Sequence, residues 1–189
     1  MATLTAIYVD FQDLDSYRAW RWLSLLPERE TVEVRPYSLD TDDQGERRSP
    51  WDRSMPTWGV ELLALGEAAR DLGKDVHLAF VDAAFAAAHD SSLDPASPEA
   101  WLALAADAGL DLETFIADGE RWRAEVGLWH QEAEDELGVR GVPCMVFDDA
   151  NALYVKLERD VDGPAAGERL LTDLADLAQQ PVEEVRRTA

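Results

Sequence analysis

The sequence predicts an α/β protein in which a βαβ unit and a ββα unit are separated by an all-helical block. Three observations predict it. Residues 4–37 read as strand, helix, strand; residues 56–137 carry helix-spaced apolar residues throughout; residues 142–178 read as strand, strand, helix. A chain of 189 residues is long enough for one such core with an inserted subdomain. The expected division is 1–50 with 138–189 for the α/β part, and 51–137 for the insertion.

Leu4-Thr5-Ala6-Ile7-Tyr8-Val9-Asp10 is apolar and β-rich, the pattern of a buried strand. A helix is expected over Tyr17 to Leu26, where Trp20, Leu23 and Leu26 recur at helical spacing and Pro27 stops the run. Asp13, Asp15 and Ser16 supply N-cap chemistry at its start. Thr31 to Tyr37 alternates and reads as a second strand, parallel to the first through the crossover helix. Ser38 to Met55 is polar and reads as a long surface loop, with Trp51 and Trp58 at its end.

The insertion divides into Thr57 to Leu72, Lys74 to His89, a helix capped by Ser97-Pro98, a short helix opened by Asp111 and closed by Gly119, and Glu120 to Leu137. Gly138 stops the last of these. Val142-Pro143 then leads into the apolar run Cys144 to Phe147. Proline donates no backbone hydrogen bond, so it belongs at a strand's first residue or in a tight turn, where the cis form is accessible. Asp148 to Asn151 is turn chemistry, and Ala152 to Leu157 alternates as the partner strand of a hairpin. Ala166 to Ala178 is an amphipathic closing helix, followed by a polar tail, 181–189.

Composition excludes several functions. With 47% hydrophobic and 30% charged residues the chain reads as soluble and globular, and no apolar run approaches the length of a membrane span. Met1 to Thr5 lacks the basic region and cleavage site of a signal peptide, so a cytoplasmic protein is expected. Acids outnumber bases 39 to 17, giving a formal charge of −22. Such a field repels phosphate backbones and anionic membranes, so neither nucleic acid nor membrane is an expected partner. His77, His89 and His130 lack metal-ligand spacing, and Asp40, Asp42 and Asp43 lack the full calcium-loop pattern, so no metal is expected. One cysteine, Cys144, cannot form an intramolecular disulfide.

The run Ala133-Glu134-Asp135-Glu136-Leu137-Gly138-Val139-Arg140-Gly141-Val142-Pro143 resembles the cis-proline loop of the DsbA-like superfamily of thioredoxin-fold proteins. That group includes DsbA-type dithiol oxidoreductases, 2-hydroxychromene-2-carboxylate isomerases and kappa-class glutathione transferases. Tyr154 to Asp160 and Arg186-Arg187-Thr188 resemble the tail of a bacterial subgroup, so the likeness spans nearly the whole chain. It implies a thioredoxin-like fold (βαβ…ββα) with an all-helical insertion over an active site at the start of the first helix. In DsbA-type proteins that place resembles D-F-x-C-P-W-C-Y; here it reads Asp10-Phe11-Gln12-Asp13-Leu14-Asp15-Ser16-Tyr17. Asp13 and Ser16 stand where the two cysteines would be. The isomerase and transferase branches carry a motif like S-P-Y-S-Y or S-P-Y-S-W, of which this chain keeps Ser16 and Tyr17.

Dithiol exchange needs a thiolate and a second thiol to resolve the mixed disulfide. Asp13 and Ser16 supply neither. The expected function is therefore a ligand- or thiol-binding module without dithiol–disulfide turnover. One alternative is a thiol-dependent isomerase or transferase, in which Ser16 and Tyr17 donate to a bound thiol and Asp13 acts as base; a low-molecular-weight thiol would be its cofactor. Another is a single-cysteine redox protein working through Cys144. The candidate catalytic residues are Asp13, Ser16, Tyr17 and Cys144. The candidate ligand-binding residues are Phe11, Val142, Pro143, Trp58 and Trp129, with the Val142 backbone poised to pair with an extended peptide or a small thiol. A homodimer is expected because superfamily members often dimerise. Each candidate has a plainer reading beside it. Asp13, Asp15 and Ser16 cap a helix; Cys144 is a small apolar residue on a buried strand; the tryptophans, including Trp51 and Trp122, pack the insertion on its base.

Overall fold

The computed structural model describes residues 2–40, 49–52, 56–91, 94 and 97–180. Among these lie β1 (Leu4–Val9), α1 (Leu14–Leu23), β2 (Glu33–Pro36), α2 (Trp58–Leu72), α3 (Lys74–His89), α4 (Pro98–Asp107), α5 (Leu112–Ala117), α6 (Gly119–Asp135), β3 (Cys144–Phe147), β4 (Asn151–Tyr154) and α7 (Pro164–Leu177). Short 3-10 turns occupy Pro27–Glu30 and Pro50–Asp52. The sheet order is β2-β1-β3-β4. β1 pairs parallel with β2 and antiparallel with β3, and β3 pairs antiparallel with β4. This is the expected βαβ, helical block, ββα order.

Strand alternation divides the core in two. Ile7, Val9, Val34, Met145 and Phe147 point to one face, where Trp20, Trp22 and Leu23 of α1, the apolar sides of α2 and α3, and the leucines of α7 cover them. Ala6, Tyr8, Cys144 and Val146 point to the other face, where Ala133 and Trp129 of α6 cover them. The insertion is tied to β2 by a ring-and-ion network. Arg35 reaches Glu33 at 2.7 Å and Glu132 at 3.0 Å, and Arg70 reaches Glu67 and Glu33 at 3.1 Å each. Trp129 lies in it, donating its indole N–H to Glu67 at 3.0 Å under the Arg35 guanidinium. Arg70 also donates to the Val34 carbonyl, which occupies an acceptor on the outer edge of β2.

Several boundaries differ from the sequence-based expectation. α1 begins at Leu14 rather than Tyr17, because Asp13 caps it, and it ends at Leu23. Leu26 still enters the core, but from a turn. Gly119 opens α6 instead of closing α5; Asp118, between the two helices, ends α5. β4 stops at Tyr154 rather than Leu157. Its partner β3 starts at Cys144, and Pro143, lacking an N–H, offers only its carbonyl, which accepts from the Val155 amide at 3.0 Å. Within the Ser38–Met55 stretch, Ser38 and Pro50 are buried, whereas Leu39 and Asp52 are exposed as expected of a surface loop. Its middle, with Asp42 and Asp43, lies outside the described residues, as does the tail 181–189 with Arg186-Arg187-Thr188.

Candidate functional site

The site is built where β1 ends. Tyr8 is in register with Cys144, so continuing past both brings the Asp10–Asp13 turn and the Val142-Pro143 loop to the same edge of the sheet. The Val142-Pro143 peptide bond is cis.

Asp13 is extended (φ −85°, ψ 121°) and caps α1. Its Oδ2 accepts from the Ser16 amide at 2.7 Å and from the Ser16 hydroxyl at 2.8 Å. The helix-terminal N–H that would steady a thiolate or a ligand anion is thus already held by a side chain of the protein. Ser16 is 0% exposed. Its hydroxyl also accepts from the Asp10 amide at 3.4 Å. Asp10, also 0% exposed, takes the Gln12 amide on Oδ1 at 2.9 Å and the Leu39 amide on Oδ2 at 2.8 Å. Burial pushes its carboxyl up to about 6, with the nearby Asp40 and Asp13 carboxylates adding and the two amides opposing.

Tyr17 turns away from this edge. Its hydroxyl donates to the Asp90 carboxylate, and its ring stacks on His89 at 4.8 Å and 9°. Burial and then Asp90 raise its phenol above the ordinary value. His89 Nε2 donates to the Phe11 carbonyl at 2.9 Å, since a carbonyl only accepts. The Phe11 ring is core, edge-on to Phe80 and Phe85 at 6.1 and 5.1 Å. Tyr17 also borders a cavity of about 330 Å³ between α1, α3 and the segment before α7, lined by Trp20, Arg21, Phe85, Asp90 and Asp160 among others.

Trp58, the first residue of α2, packs half-buried against the larger core. Beside it, Gln12 lies directly on Gly59, where an added Cβ would fall 1.6 Å from its Nε2. The Thr57 hydroxyl donates to Asp40. Trp129 sits on the opposite face of the sheet, in the ion network described above. Cys144 also faces α6, packed with Tyr8, Tyr37, Ala133 and Val142. Burial pushes its thiol up to about 12. Val142 as a whole residue is 4% exposed. Neither its N–H nor its C=O has a partner among the described residues.

The register of β1 and β3 thus puts the Asp10–Asp13 turn and Val142-Pro143 at one edge of the sheet, while Phe11, Tyr17, Trp129 and Cys144 are engaged in packing. The protons of the Ser16 and Tyr17 hydroxyls, expected to serve a ligand, are given to Asp13 and Asp90. Sequence reading missed Asp10 as a buried carboxyl and missed the His89-Asp90 clamp. Asp10 was visible only as a motif match. His89 meets Phe11 across 78 positions, and no local pattern announces such a contact. Among the described residues, no three His, Cys, Asp or Glu side chains converge as metal ligands, and no helix is long and apolar enough to cross a membrane.

No protein-family model and no curated protein sequence matches the chain. Solved structures do. A probable DsbA oxidoreductase from Streptomyces coelicolor superposes with TM-score 0.63 at 20% identity, over 95% of this chain and 92% of that one. The thiol-disulfide exchange protein alpha-DsbA2 from Wolbachia pipientis gives 0.58 at 15%, over 91% and 80%. Oxidised Mtb DsbA gives 0.54 at 12%, over 93% and 82%. Superposition over nine-tenths of this chain at such low identity is a likeness of architecture: the chain has an α/β thioredoxin-like fold with a helical insertion.

Proposed function

We propose that this chain is a non-redox binding module that takes an extended peptide, or a peptide-like thiol, along the cis-proline loop. The observation that carries this reading is the Asp13 carboxylate seated on the Ser16 amide and hydroxyl at 2.7 and 2.8 Å. It leaves no sulfur to exchange, and the Ser16 amide of the helix terminus is already taken. At the same edge the backbone donor and acceptor of Val142, a residue 4% exposed, have no hydrogen-bond partner among the described residues and are of the kind that pair with an extended chain. The isomerase or transferase reading needs the Ser16 and Tyr17 hydroxyls free, and both are committed internally. The single-cysteine reading needs an accessible thiolate, and Cys144 is 3% exposed with its thiol held protonated. A cytoplasmic setting belongs to the same proposal, since nothing in it needs an oxidising compartment.

Two experiments test the reading. Insulin reduction should stay at background, and a reduced, carboxymethylated polypeptide titrated into ¹⁵N-labelled protein should shift the amides of Val142 and Asp13. Turnover of insulin, or shifts confined elsewhere, would overturn it. The placement of the turn has its own check. Residues three apart at a helix start lie within the span of about 4.4–6.8 Å that a disulfide bridges between Cα atoms. Asp13→Cys with Ser16→Cys should therefore form an intramolecular disulfide on oxidation.

A further inference from the structure

His130, on α6, stacks its ring 4.1 Å from the Tyr37 ring at 20° and 4.8 Å from Trp51. Its Nε2 lies 3.7 Å from Glu134 Oε1, one turn on. Its Nδ1 is buried and has no hydrogen-bond partner among the described residues. Trp51 is held at a second point on the same helix. A Cβ added to Gly127, three residues before His130, would fall 2.5 Å from the Trp51 Nε1. Residues three apart share a helix face, so the indole lies across Gly127 and His130 together.

This geometry suits the neutral ring. One nitrogen carries its hydrogen toward Glu134 and the other keeps a lone pair. Protonation places an N–H at Nδ1, which is buried and meets no acceptor among the described residues. Among the described residues, the following groups face the ring. Tyr37 comes from the end of β2, and Trp51 from the Pro50–Asp52 turn, whose one charged residue, Asp52, is exposed. Glu134 comes from α6 itself. Arg140, from the loop before Val142, lies 3.5 Å from the same Glu134 oxygen that accepts from the Tyr37 hydroxyl. Cys144 of β3 packs with Tyr37 in the same cluster. Glu134 and the aromatic faces favour an imidazolium; burial opposes it and outweighs Glu134, holding the ring below its ordinary titration range.

We propose that Tyr37, His130 and Trp51 form a proton-operated clasp: neutral His130 holds the Pro50–Asp52 turn against α6, and protonated His130 lets Trp51 go. The clasp does not depend on what binds at the cis-proline loop. It adds a conformational response to acid that a redox-inert thioredoxin fold does not otherwise need.

Fluorine NMR of the whole chain labelled with 5-fluorotryptophan tests it. The Trp51 signal is the one lost in Trp51→Phe. Between pH 7.5 and 4.5 that signal should move from a buried to an exposed position, in step with the proton titration of the His130 ring. The Trp22 signal, from the core, should stay fixed. His130→Phe should keep the stack and abolish the step. Gly127→Ala should place Trp51 at its acid position already at pH 7.5. A Trp51 signal that stays still while His130 titrates, moves outside that range, or keeps its step in His130→Phe would overturn the clasp. The wild-type titration decides the matter if a variant fails to fold.

Discussion

Asp10 is a carboxyl with no exposed surface, and burial raises it from the ordinary 3.8 to about 6. A folded-state value above the unfolded one means that the folded chain binds the proton more readily. The stabilisation is full below the unfolded value and is lost as pH rises through about 6. Two units correspond to roughly 3 kcal/mol as an upper bound. The stability of the wild type relative to Asp10→Asn, from urea denaturation at each pH, should therefore fall between pH 4 and 7; a constant difference would contradict the burial argument. Asp13→Ala should cost about 1–2 kcal/mol, because it removes the cap and leaves the buried Ser16 hydroxyl without its acceptor. Asp13→Asn, which can still accept, should cost less. Cys144 should resist alkylation in the native protein at neutral pH and react once the chain is unfolded, since burial holds its thiol at about 12. The composition of the Asp13–Ser16 turn was plain from the residues alone. The Asp13 cap was equally plain; that the Ser16 hydroxyl also bonds to Asp13 was not, because it depends on which side of α1 faces inward.

At the scale of elements, the insertion rests on α1's approach through one tight contact. Gln12, just before the cap, lies where a Gly59 side chain would be. Gly59→Ala forces aside the Gln12 amide, the end of a flexible half-buried side chain, so the cost should stay below about 1 kcal/mol, under the range for overpacking a rigid core. Gln12→Ala should relieve most of that. The double variant should be more stable than the sum of the single effects predicts, which a thermodynamic cycle from denaturant melts reads directly. The bounds of α3, Lys74–His89, coincide with the expectation because Gly73 (φ +127°) marks where one helix yields to the next. The start of α1 was misplaced because the first turn, Leu14-Asp15-Ser16, carries no apolar period; Leu14 is 48% exposed. β4 was overextended because its alternation continues past the last residue that β3 can pair with, and partner length is not written in the strand itself.

The whole molecule carries 39 acids against 17 bases. Its ion pairs, such as Arg35–Glu132 at 3.0 Å and Arg123–Glu61 at 2.9 Å, use many of the bases and leave a large acidic excess. Self-repulsion of that excess should outweigh the screening of the pairs. Raising salt from 50 to 500 mM should then increase Tm by a few °C, about 1 kcal/mol, in a thermal melt; a decrease would mean that the pairs dominate. The sequence by itself determined the order of elements, the interruption of the α/β core by helices, and the absence of cysteine from the first helix. Each of these is written in local period, turn residues or residue identity. Only the tertiary structure decided which candidates share the sheet edge where β1 ends. It sent Tyr17 to Asp90, set Trp129 among arginines and glutamates, turned Cys144 beneath α6, and closed Trp51 over His130. Those outcomes depend on which distant side chains fill the same space, and close packing settles that for the whole chain at once.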